Sequence, residues 1–82
     1  MKFVIETEGI DMRIFVNRED VEGEEDQELH EHDKIRFCLG PAGEETVYID
    51  VFINTAGRLV IRSGDNMKIL PKFGNLIEIE KA

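Results

Sequence analysis

The sequence predicts an all-β domain: a small antiparallel barrel or two-layer sandwich of six or seven short strands, carrying one long acidic loop. Three observations carry that expectation. Ten Ile, six Val and three Thr stand against five Leu and three Ala, a balance that suits a pleated surface better than a helix. Apolar and polar residues alternate in short runs, which is the strand period. Tight-turn formers separate the runs, as at Gly40-Pro41-Ala42-Gly43 and Ser63-Gly64-Asp65-Asn66.

The 82 residues are read as a single domain, 1–82. A chain of this size buries only about 60–65% of the surface it exposes when unfolded, so its core is thin and a deep pocket is not expected. Leu, Ile, Val and Phe total 26, enough to fold. Cys38 is alone, which excludes an internal disulfide and suits a reducing compartment. The opening MKFVIETEG has no apolar stretch of signal-peptide length, and no run is fit to span a bilayer, so a cytoplasmic location is expected.

Met1–Asn17 reads as an N-terminal hairpin. Phe3, Ile5 and Thr7 alternate with Val4 and Glu6; after Glu8-Gly9, Ile10, Met12, Ile14 and Val16 face one way, and Asp11, Arg13, Phe15 and Asn17 the other. The acidic stretch, 18–33, is expected as loop. Val21 and Leu29 are its only large apolar residues, and on a helix like charges would stack at Asp20/Glu24 and Glu24/Glu28. Strand returns over Asp33–Leu39, with Ile35, Phe37 and Leu39 inward and Lys34, Arg36 and Cys38 outward. Glu45–Ser63 is the best-determined piece. Taking Thr55-Ala56-Gly57 as a three-residue loop closed by a left-handed Gly57, Ile53 faces Leu59 and Val51 faces Ile61 on the core side. Phe52 then faces Val60, and Asp50 faces Arg62, on the other side. Met67–Leu70, ended by Pro71, and Leu76–Glu80, with Ile77 and Ile79 inward, complete a C-terminal meander.

Charge points to a function class. Glu19–Asp33 holds nine of the eighteen acidic residues, both histidines and no lysine or arginine. Net charge is −8, and residues 1–40, with five basic and twelve acidic groups, carry −7 of it. Such a half repels nucleic acid and anionic membrane, so direct binding to either is not expected. It attracts a basic partner. The sequence has no Gly-rich phosphate loop and no GxSxG elbow; Ser63 is the sole serine and Cys38 an outward strand thiol, so neither an enzyme nor a cofactor is expected. The expected function is a non-enzymatic acidic protein-binding module with Glu22, Glu24, Glu25, Asp26, Glu28 and Glu31 as contact acids. It would occupy a basic surface of its partner, a nucleic-acid-binding protein being the natural case. In size and charge the chain resembles the small acidic inhibitors of nucleic-acid enzymes, such as phage-encoded anti-restriction and anti-CRISPR proteins. That resemblance implies an inhibitor that mimics nucleic acid.

Two other patterns carry alternatives. If Glu28–His32 is extended, Glu28, His30 and His32 project from one face, and two imidazoles with a carboxylate suit a divalent metal such as zinc or nickel. Phe15, Tyr48, Phe52 and Val60 share the outer face of the central hairpin. In a sandwich the second layer covers them; in a flatter sheet they form a protein-binding or homodimer surface.

Overall fold

Residues 2–6, 9–21, 26–40, 46–70 and 76–81 are described by the structure, a computed structural model. Among them run nine strands: β1 (Lys2–Ile5), β2 (Met12–Val16), β3 (Glu19–Val21), β4 (Asp26–Glu28), β5 (Lys34–Leu39), β6 (Val47–Ile53), β7 (Leu59–Ser63), β8 (Asn66–Leu70) and β9 (Leu76–Lys81). Six form one sheet in the order β3-β2-β5-β6-β7-β8, and three form a second in the order β1-β9-β4. The fold is all-β, an open two-layer sandwich, with nine strands where the sequence pattern marks six or seven.

The core lies between the layers because the strands that face it, unlike the wholly polar β4, are apolar on one side. Ile14, Ile35, Phe37, Val51 and Leu59 come from the large sheet; Ile77 and Ile79 come from β9, and all are buried. Phe3 and Ile5 of β1 pack against this cluster. The Phe3 and Phe37 rings meet edge to face across the layers, 6.5 Å apart at 66°.

The β6–β7 hairpin has the register that its matched side chains predict: Ile53 opposite Leu59, Phe52 opposite Val60, Val51 opposite Ile61 and Asp50 opposite Arg62. Local hydrogen bonds explain why the loop has three residues. The Gly57 N–H donates to the Asn54 carbonyl at 3.0 Å, and the Asn54 N–H donates to the Arg58 carbonyl at 3.0 Å. The Asn54 side-chain oxygen accepts from the Ala56 and Arg58 N–H groups, both at 3.0 Å. Gly57 closes the loop at φ 76°, a left-handed conformation in which a Cβ is strained.

Three expectations are corrected. First, the N-terminal hairpin does not form, and β9 does not continue the C-terminal meander of β6, β7 and β8 but joins the other sheet. β1 runs parallel to β9, with Phe3 opposite Ile79, while β2 lies antiparallel between β3 and β5. Alternation fixes which side of a strand is apolar but leaves its partner open, and Phe3 and Ile5 are used in the covering layer. Second, the acidic stretch is not loop throughout. β3 and β4 lie within it, one in each sheet, so the stretch crosses from layer to layer. Its two apolar residues are the anchors: Val21 sits opposite Ile14, and Leu29 is fully buried. Third, Cys38 points to the outward side of β5 as expected, yet it is buried between its cross-strand neighbours Arg13 and Tyr48.

Candidate functional site

Covering one side of the large sheet leaves two outward faces, and they differ in chemistry. The small sheet presents Asp26 and Glu28 from β4 beside Glu78 and Glu80 from β9, all exposed. Asp26 stands directly opposite Glu78 in the ladder. On β1, Lys2 reaches Glu80 at 2.8 Å, and that hydrogen-bonded carboxylate, with Glu78 nearby, raises the ammonium above its ordinary pKa. Of the acids expected to make contacts, Asp26 and Glu28 therefore gain neighbours that are distant in sequence. Glu31 is exposed in the turn that follows, and Glu22, Glu24 and Glu25 lie outside the described residues.

That turn explains the histidines. The Asp33 N–H donates to the His30 carbonyl at 3.0 Å, so residues 30–33 form a β-turn with His32 left-handed at φ 75°. The Asp33 carboxylate accepts from the His30 N–H at 2.9 Å and from the Asn17 side-chain amide at 2.8 Å. These two donors hold its pKa below the ordinary carboxylate value. Asn17 in turn accepts from the Lys34 N–H and donates its own N–H to the Lys34 carbonyl, both at 3.0 Å. Glu28 and His30 come within 3.4 Å, but His32 is carried away to Glu31 at 3.9 Å. The extended geometry that would place Glu28, His30 and His32 on one face is replaced by the turn. Among the described residues no three His, Cys, Asp or Glu side chains converge on a metal position.

The outward face of the large sheet is predominantly basic and aromatic, with an acid at its edge. β3 contributes the exposed Asp20, opposite Phe15, β2 contributes Arg13 and Phe15, β5 contributes Lys34, Arg36 and Cys38, β6 contributes Tyr48, Asp50 and Phe52, and β7 contributes Val60 and Arg62. All four residues expected on an apolar interface (Phe15, Tyr48, Phe52 and Val60) are here. Tyr48 is 46% exposed, whereas Val60 is buried. Asp50, only 6% exposed, organises the centre. Arg36 grips it with two hydrogen bonds, Nε to Oδ1 at 2.8 Å and an Nη to Oδ2 at 3.1 Å, and Arg62 approaches to 3.8 Å. The Arg36 hydrogen bonds lower the Asp50 pKa, outweighing burial, which pushes the other way. Each guanidinium also lies over a ring: Arg36 is 4.9 Å from the Tyr48 centroid and Arg62 is 5.2 Å from that of Phe52.

Arg13, Phe15, Arg18, Lys34, Arg36 and Tyr48, with His32 at the rim, line a groove of about 690 Å³ on this face. Sequence reasoning placed several of these residues outward one strand at a time. It missed that they adjoin, because that depends on β2 and β5 being neighbours.

No curated protein and no solved structure matches the chain. A family model does, over residues 6–82, and on that match the chain belongs to the family described as "family of unknown function (DUF7239)".

Proposed function

We propose that this chain is a non-enzymatic, acidic protein-binding module that docks the outer face of its three-stranded sheet on a basic surface of a partner. The partner is a protein whose own ligand is an anion such as nucleic acid, and occupancy by this chain inhibits it. The observation that carries the reading is the pairing of Asp26 with Glu78, flanked by Glu28 and Glu80. Like charges directly opposite in a ladder destabilise a sheet, and Lys2, opposite Glu78 in the other ladder and bonded to Glu80, offsets only part of that cost. Carboxylates on one rigid face suit bidentate recognition by arginine and long-range steering of a basic partner.

The test compares the wild type with a variant carrying Asp26→Asn, Glu28→Gln, Glu78→Gln and Glu80→Gln, each immobilised and offered lysate at about 0.1 M salt, where exposed charges act over roughly 10 Å. The wild type alone should retain a nucleic-acid-binding protein, and both salt and added duplex DNA should release it. Neutralising Asp26 and Glu78 relieves one like-charge pair, worth up to about 1 kcal/mol, while Glu80→Gln removes the ion pair with Lys2, so the variant should stay folded with a stability close to that of the wild type. Equal capture by both proteins would remove the acidic face from consideration.

A further inference from the structure

We infer that the groove on the opposite face of the molecule binds a single strand of nucleic acid, a second function that does not depend on the acidic face. Three observations converge on it.

The first is charge. Arg13, Arg18 and Lys34 surround the groove, and among the described residues none of them is paired with a carboxylate. In a chain of net charge −8 this is a local reversal of sign. The acidic face lies behind two sheets, which stack about 10 Å apart with side chains pointing away from each other. A ligand in the groove touches the cations that line it and lies two sheets away from the acids, so the nearer charges dominate its interaction.

The second is the aromatic content. Phe15 and the exposed Tyr48 lie among the cations, and the Arg36 guanidinium, fixed by Asp50, adds a planar surface over the Tyr48 ring. Cations alone fit any polyanion. Rings between them fit bases, whose faces are free in a single strand and hidden in a duplex. An acidic peptide has nothing to place on the rings. The groove volume lies within the roughly 300–1,000 Å³ that holds a drug-sized ligand. A second hollow of about 380 Å³ shares His32 and Lys34 with it and reaches Phe52 and Arg62, but Glu31 and Asp33 also line it, so the strand is assigned to the first groove alone.

The third is backbone strain. Among the described residues three non-glycine residues have positive φ: Asn17 at 50°, Arg18 at 72° and His32 at 75°. All three line this groove. Asn and His take left-handed turn positions readily, so the costly placement is Arg18, a cation held at the groove where glycine would sit at lower cost.

Fluorescence anisotropy with a labelled twelve-nucleotide oligo(dT), a duplex of the same length and an oligoglutamate peptide, in 50 mM salt, tests the inference. The single strand should bind at least tenfold more tightly than either alternative. The plot of log affinity against log salt should fall with a slope of about −2 to −3, as expected for three or four phosphate contacts. The Arg13→Gln/Lys34→Gln variant should weaken binding tenfold or more and flatten that slope. Arg18→Gln, in an exposed turn, repeats the charge test where folding is not at stake. Tyr48→Ala should weaken binding about tenfold with the slope unchanged, since stacking releases no counterions. Glu78→Gln/Glu80→Gln, on the other face, should leave binding intact, which separates this site from the acidic one. Absence of saturable strand binding would overturn the inference, as would peptide or duplex binding of equal strength, or insensitivity to both the Arg18 and Tyr48 changes.

Discussion

Asp50 is the one carboxylate that the described part of the molecule buries, and its two arginine partners set how the protein responds to acid. Its folded pKa lies below the ordinary value, as does that of Asp33. For a depressed carboxylate the stabilisation is fully present above the unfolded pKa, about 3.9 for Asp, and is lost as pH falls through the folded pKa. Stability should therefore be flat with respect to these two groups near neutrality and decline below about pH 4. Asp50→Asn keeps the shape but leaves the guanidinium of Arg36 facing an amide. It should cost about 1–2 kcal/mol at pH 7, less than a fully buried pair would, because Arg36 is partly solvated. In urea titrations repeated across pH 2 to 7, the difference between wild type and D50N should shrink as the wild-type carboxylate protonates. A constant difference would show that the effect is packing and not charge.

Turns decide the outcome at the scale of elements. In β6–β7 the loop, the register and the facing pairs were legible because everything that fixes them lies within a few residues of Gly57. The same locality gives the β7–β8 turn, where Gly64 takes φ 57° at the first central position of a two-residue loop. The β2–β3 turn was not legible. Asn17 and Arg18 are both left-handed there, a two-residue turn that normally takes Asn-Gly, and an arginine at the second position hides the signal. Arg18→Gly should therefore raise stability by about 1 kcal/mol, visible as an upward shift in the thermal midpoint, while weakening binding in the groove. A loss of stability would mean that Arg18 makes contacts that outweigh its backbone strain. Long-range pairing escaped the sequence for a different reason. The alternation in β1 satisfies a hairpin with β2 as well as it does the parallel pairing with β9, and only the need to cover the large sheet separates the two.

The whole molecule is a sandwich with opposite signs on its two outer surfaces. A net charge averages them away, which is why the acidic half of the chain was legible and the basic groove was not. The acids cluster along the sequence between residues 19 and 33, whereas Arg13, Lys34 and Tyr48 come from three strands and meet only in the sheet order β2-β5-β6. Each outward residue could be assigned its side from periodicity alone; its neighbours across the sheet could not.

Time enters through β1 and β9. The pairings within β2 to β8 join strands close in sequence, so the large sheet can assemble as the chain leaves the ribosome. Among the described residues β1 and β4 have no other sheet partner than β9 and must wait for residues 76–81. At roughly 5–20 residues per second, that wait for β1 lasts several seconds. Throughout it, Ile14, Phe37, Val51 and Leu59 present an uncovered apolar surface to solvent or to a chaperone. Ribosome-arrested chains ending before Leu76 should be cleaved readily by protease, and chains extended past Lys81 and clear of the exit tunnel should resist it. Co-translational vulnerability is thus a property of the topology: β9, made after every strand it pairs with or covers, is the one that shuts the core.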